Sequence, residues 1–117
     1  MKLPGAERAL VDIVKLREYR LNPLHPRGRH KAGIFASALN LHQQDAEFLR
    51  GRLLEAALFS DASLGEGDEY GQRYSFDFEC AKGGRRAFVR SAWIVLKAED
   101  FPRLLTCYVL LDRFSDG

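Results

Sequence analysis

The segment His25-Pro26-Arg27-Gly28-Arg29-His30-Lys31 puts two imidazoles, two guanidiniums and an ammonium within seven residues. Imidazole is the side chain best matched to proton transfer near neutral pH. Lysine and arginine can stabilise the charge that grows on a phosphorane as a 2′-oxygen attacks phosphorus. A loop entering a helix also offers N–H groups and a positive dipole end, which suit phosphate. The surroundings favour anions too. Residues 15–31 hold Lys15, Arg17, Arg20, Arg27, Arg29 and Lys31 against Glu18 alone. No carboxylate lies between Tyr19 and Gln44, and all three histidines, His25, His30 and His42, fall in that window. The plainer reading is a rigid Pro-flanked turn, with His25 bonded to backbone and the bases solvated.

Polar residues inside apolar strand-like runs are the second signal. Arg90 and Ser91 interrupt AFVRSAWIV, and Thr106 and Tyr108 sit in LLTCYVLL. An arginine there is costly unless it is paired or reaches a cleft. Residues 106 and 108 share a strand face. Arg90 could therefore join them in one site, or pair with Asp77 or Glu79 across a hairpin; the register decides and is not readable. Trp93, in VRSAWIVL, belongs to the core.

Several chemistries have no support. There is no Walker loop, HExxH, CxxC or GxSxG pattern, and His25 and His30 are not spaced as a zinc pair. No metal and no cofactor is expected. The two cysteines, Cys80 and Cys107, sit in apolar runs and suit buried thiols in a reducing compartment, with one disulfide as the alternative. The opening MKLPGAERALVDIVK is broken by Glu7, Arg8 and Asp12, unlike a secretory signal, and no apolar run nears the roughly 18 residues a span needs. A cytoplasmic location without membrane contact is the expectation.

These residues must be positioned by ordinary elements. The 117 residues, 46% of them hydrophobic, suit one domain over 1–117 with its own core. Formal net charge is only +2, but residues 45–79 carry nine acids and three bases, so the charge is polarised. Asp12 is a predicted N-cap for a short helix over 13–19, with a short strand before it at 9–11. A Pro-containing loop follows, then helices near 28–39 and 43–59, the first ended by Asn40. Ser63 to Gly71 reads as a Gly- and acid-rich loop. Alternation over 74–80, a Gly83-Gly84 turn, and two more apolar runs over 86–96 and 103–111 predict an antiparallel meander. The fold class is thus α+β, N-terminal helices packed on three or four antiparallel strands, with the last two runs apolar on both faces as central strands are.

The runs LREYRLNPLHPRGRHKAGIF, EYGQRYSFDFE, RAFVRSAWIV and FPRLLTCYVL together resemble an uncharacterised bacterial domain family, found stand-alone and at the C-termini of polymorphic toxins. The resemblance spans nearly the whole chain. Its order of elements is similar to the barnase–EndoU–colicin–RelE-like ribonuclease-toxin fold. That likeness implies a metal-independent RNA endonuclease of toxin type. Its residues are His25 as base or acid, Lys31 and Arg90 on the scissile phosphate, and Thr106 and Tyr108 positioning substrate. Arg27, Arg29, His30 and Arg86 are the RNA-contact candidates. His30 ranks below His25, because relatives often carry a small residue there. The implied partners are RNA, such as transfer RNA, and a cognate antitoxin or immunity protein. The other expectation is a non-catalytic module, an antitoxin, immunity protein or nucleic-acid-binding accessory, for which the acidic stretch 45–79 speaks.

Overall fold

The computed structural model describes residues 1–111. After a 3-10 turn at Ala6–Arg8 come helix α1 (Ile13–Lys15), a π-helical segment (Leu16–Arg20), α2 (Arg29–Leu39) and α3 (Ala46–Phe59). Four strands follow: β1 (Ser63–Gly67), β2 (Gly71–Lys82), β3 (Arg85–Leu96) and β4 (Pro102–Val109). They form one antiparallel sheet in the order β1-β2-β3-β4. The α+β expectation holds, with the helices first and on one face.

Local chemistry explains the boundaries. The Asp12 carboxylate accepts from the Val14 and Lys15 N–H groups and starts α1. Asn40, at φ 53°, closes α2 in the left-handed conformation common at helix ends. Gly83 and Gly84 both have positive φ, as the tight turn between β2 and β3 requires.

The core lies between helices and sheet. α2 contributes Ala32, Phe35 and Leu39, and α3 contributes Ala46, Leu49, Leu53 and Ala57. They meet Phe76, Phe78 and Cys80 of β2, Val89 and Trp93 of β3, and Cys107 and Val109 of β4. Trp93 stacks on Phe76 at 5.8 Å and donates from Nε1 to Ser91 Oγ at 2.9 Å; Ser91 donates in turn to the Phe76 carbonyl. Both cysteines are free and buried, which settles the disulfide alternative. Burial pushes the Cys107 thiol up to about 12.

Two expectations need correction. Residues 63–67 form a strand where a loop was expected. SLGEG has no alternating pattern because β1 is exposed along its whole length, so only pairing with β2 defines it. β1 is therefore the fourth strand, and the N-terminal segment adds a single parallel bridge, Leu10 to Arg103. The last strand is also an edge strand, not a central one. Its apolar character reflects cover from the N-terminal segment: Leu104 N–H donates to the Leu10 carbonyl and Arg20 to the Leu105 carbonyl. No helix among the described residues is long and apolar enough to cross a membrane.

Candidate functional site

Strand register brings the strand candidates into one row. Arg90 on β3 lies opposite Asp77 on β2 and opposite Tyr108 on β4. All three point away from the core, since their neighbours Phe76, Val89, Ser91 and Cys107 are buried beneath them. The Arg90 guanidinium holds Asp77 through two parallel bonds of 2.8 and 3.0 Å. Asp77 foremost, and Tyr108 across on β4, raise the already high pKa of Arg90 further. The side chain keeps about 45% of its surface in contact with solvent. Arg90 is thus both ion-paired and accessible, the two alternatives its position allowed.

The helical layer supplies Lys31. Its Nζ sits 4.5 Å from the centre of the Tyr108 ring. Lys31, Tyr108, Arg90 and Asp77 therefore form a continuous chain from α2 across three strands. Thr106 belongs to the same face, two residues from Tyr108. Its hydroxyl is buried without a hydrogen-bond partner, a state that typically costs about 1–3 kcal/mol. Thr106 is thus a polar group that the fold leaves unsatisfied two residues from Tyr108. On the β1 side Arg90 lines a polar concavity of about 330 Å³ with Asp61, Ser63, Ser75, Asp77 and Phe88. A shallower one of about 570 Å³, lined by Asp68, Gln72, Lys97 and Glu99 among others, holds none of the candidates.

His25 has a different setting. Its Nδ1 accepts from the Arg27 and Gly28 N–H groups, both at 3.1 Å. Those bonds need the Nδ1 lone pair, so the proton of the neutral ring is on Nε2. The ring packs on Tyr19 at 4.1 Å in a tilted arrangement, and the Arg20 guanidinium covers Tyr19 at 4.3 Å. Gly28 approaches the same segment so closely that a Cβ would lie 2.4 Å from the Tyr19 carbonyl oxygen. His25 therefore ties the loop to the π-helical segment and sets the entry of α2, the helix that carries Lys31. The ring contacts described for His25 are thus with Tyr19, Arg27 and Gly28.

His25→Ala should lower stability by about 1 kcal/mol in urea melts, as lost caps do. His25→Asn, whose side-chain oxygen can accept the same N–H groups, should recover most of that. Restored stability with abolished RNA cleavage would instead mark His25 as a reacting group.

The RNA-contact candidates divide. Arg27, Arg29 and His30 are exposed in the loop and first turn of α2, where no acid competes. Arg86 is paired with Glu79 at 3.5 Å on the open sheet face. Its neighbours Lys82 and Arg85 bond the Asn40 and Ser37 carbonyls, so these cations secure the hairpin to the end of α2. Among the described residues no group of three or more His, Cys, Asp or Glu is placed to hold a metal. The sequence reading did not single out Tyr19, Arg20 or Leu105. The only local hint was Tyr19-Arg20, one residue before Asn22-Pro23.

Residues 2–111 match the model of a domain of unknown function, DUF6883. The chain belongs to the DUF6883 family. The match takes in every described element, so the Lys31–Tyr108–Arg90 row lies wholly within the DUF6883 domain. No curated protein and no solved structure matches the chain.

Proposed function

We propose that this DUF6883 domain is a metal-independent endoribonuclease of toxin type. One observation carries the reading: Lys31 from the helical layer sits over the Tyr108 ring, and Arg90 lies opposite Tyr108 across the sheet. Cleavage of RNA without a metal needs three things there. A proton must leave the 2′-hydroxyl, charge on the phosphorane must be balanced, and a proton must reach the departing 5′-oxygen. Tyr108 Oη, as the phenolate beside Lys31 and opposite Arg90, takes the 2′-proton and becomes the neutral phenol. Arg90 and Lys31 face the phosphate, and the Lys31 ammonium gives a proton to the 5′-oxygen. The 2′-oxygen–phosphorus bond forms as the phosphorus–5′-oxygen bond breaks, leaving a 2′,3′-cyclic phosphate and a 5′-hydroxyl. Thr106, with its hydroxyl buried, supports the strand that carries Tyr108 and does not touch the phosphate. Arg27, Arg29 and His30 track the backbone beyond the site. In this reading His25 positions α2 and is not the base.

Purified protein incubated with transfer RNA in EDTA should yield fragments ending in a cyclic phosphate, and Lys31→Ala should remove that activity. Intact RNA with the wild-type protein, or equal cleavage by Lys31→Ala, overturns the proposal. The two-bond hold of Asp77 on Arg90 favours one other reading, a module that binds RNA or protein without chemistry. RNA that is retained but never cut would select it.

A further inference from the structure

Two irregularities face each other at the edge of β4. In the π-helical segment the Leu21 N–H bonds the Leu16 carbonyl five residues back, at 2.9 Å. In β4, Thr106 pairs with Ala92 and Leu104 with Trp93, which leaves Leu105 as an extra, unpaired residue. Each is a one-residue insertion into a regular element, a device that recurs at functional sites. Arg20 joins them by donating to the Leu105 carbonyl. Between them is a pocket of about 230 Å³ walled by Leu16, Tyr19, Arg20, Leu104 and Leu105. Lys15 and Asp12 complete the rim, with the Asp12 carboxylate already engaged by two backbone N–H groups.

We infer that this pocket takes one unstacked base of single-stranded RNA, with Lys15 and Arg20 on its phosphate. The inference rests on the ribonuclease reading, because it treats the pocket as a subsite of the Lys31–Tyr108–Arg90 row. Four features support it. The walls are apolar, with the edge of the Tyr19 ring rather than its covered faces, and Lys15 and Arg20 stand at the mouth to meet a phosphate. The volume is below the roughly 300–1,000 Å³ of a drug-sized site and suits one planar ring system. Leu105 is 43% exposed, so the pocket opens to solvent. Leu105 and Tyr108 are three residues apart, about 10 Å along a strand. That is one to two nucleotide steps from the pocket to the reacting row. A base within a duplex cannot enter, so the substrate is single-stranded at that step.

The test is an amide chemical-shift titration with uridine 5′-monophosphate, inorganic phosphate, and a 2′-O-methyl uridine trinucleotide that cannot be cleaved. The monophosphate should shift residues 16–20 and 104–105, and inorganic phosphate should not. The trinucleotide should add shifts at Lys31 and Tyr108, and the same trinucleotide paired in a duplex should leave the pocket unchanged. Leu105→Glu, at an exposed position, should weaken monophosphate binding about tenfold or more. The inference fails if the monophosphate leaves these amides unmoved or if phosphate alone reproduces the pattern. It fails equally if Leu105→Glu folds and binds as tightly as wild type. Shifts from an acidic aromatic peptide, with none from the nucleotide, would make this a protein-docking pocket and also overturn it. The two readings separate cleanly. Nucleotide in the pocket without RNA cleavage defeats only the nuclease, and cleavage without nucleotide in the pocket defeats only the subsite.

Discussion

Tyr108→Phe should slow RNA cleavage by about 10²–10⁴-fold, the range spanned by loss of a positioned proton-transfer group. The phenyl ring keeps its place under Lys31 and its packing at the β4 edge. Only the hydroxyl is removed. Stability should therefore move by less than about 0.5 kcal/mol, as for surface changes without a packing or capping role. Lys31→Ala should cost about 10²–10³-fold on its own, comparable to losing one preorganised charge-stabilising donor. Combining the two should cost far less than the product of the single effects, because groups that act as one unit are not additive. Arg90→Lys should not preserve activity. A lysine cannot hold Asp77 with two parallel bonds and still present an N–H to Tyr108. Single-turnover cleavage of transfer RNA in EDTA, with circular dichroism to confirm folding, measures all four variants. Multiplicative effects of Lys31→Ala and Tyr108→Phe would mean that the two residues act at separate places.

How much of this was legible depended on how local each cause was. α3, β2 and the Gly83-Gly84 turn follow from periodicity and turn chemistry carried within a few residues, and the structure has them near where the pattern puts them. The backbone-bonded state of His25 is local too, since its partners are two and three residues ahead. The Arg90 site is of another kind. Residue type marked Arg90 as anomalous, but choosing Asp77 over Glu79 required the register of two strands. Lys31 and Tyr108 meet only because the loop after Arg20 sends α2 along the β4 edge. The π-helical segment and the bulge at Leu105 leave no periodic trace, because each is decided by what packs against it. β1 escaped notice for the same reason: five exposed residues have no buried face to pattern them.

Trp93→Ala should be the most destabilising single change in the core, by about 3–5 kcal/mol. Trp93 has no solvent exposure, stacks on Phe76, and uses its indole N–H on Ser91. Removing it leaves a cavity under the middle of the sheet. It also strips the buried Ser91 Oγ of one of its two partners. Domains of this size have about 5–15 kcal/mol in total, so the variant should melt lower by more than about 10 °C. Trp93→Phe, which keeps a ring beside Phe76 and leaves the Ser91–Phe76 bond in place, should lose clearly less. Far-UV circular dichroism is the readout, since Trp93 is the only tryptophan and its fluorescence disappears with it. The change should reach the β4 edge as well. Trp93 and Ala92 are the two β3 residues between which the register shifts, so the indole backs the strand where Leu105 bulges out. If packing holds that bulge, Trp93→Ala should perturb the Leu104 and Leu105 amides more than those of Gly83 and Gly84 at the far turn. Uniform shifts along the sheet would instead assign the bulge to the Arg20–Leu105 bond alone.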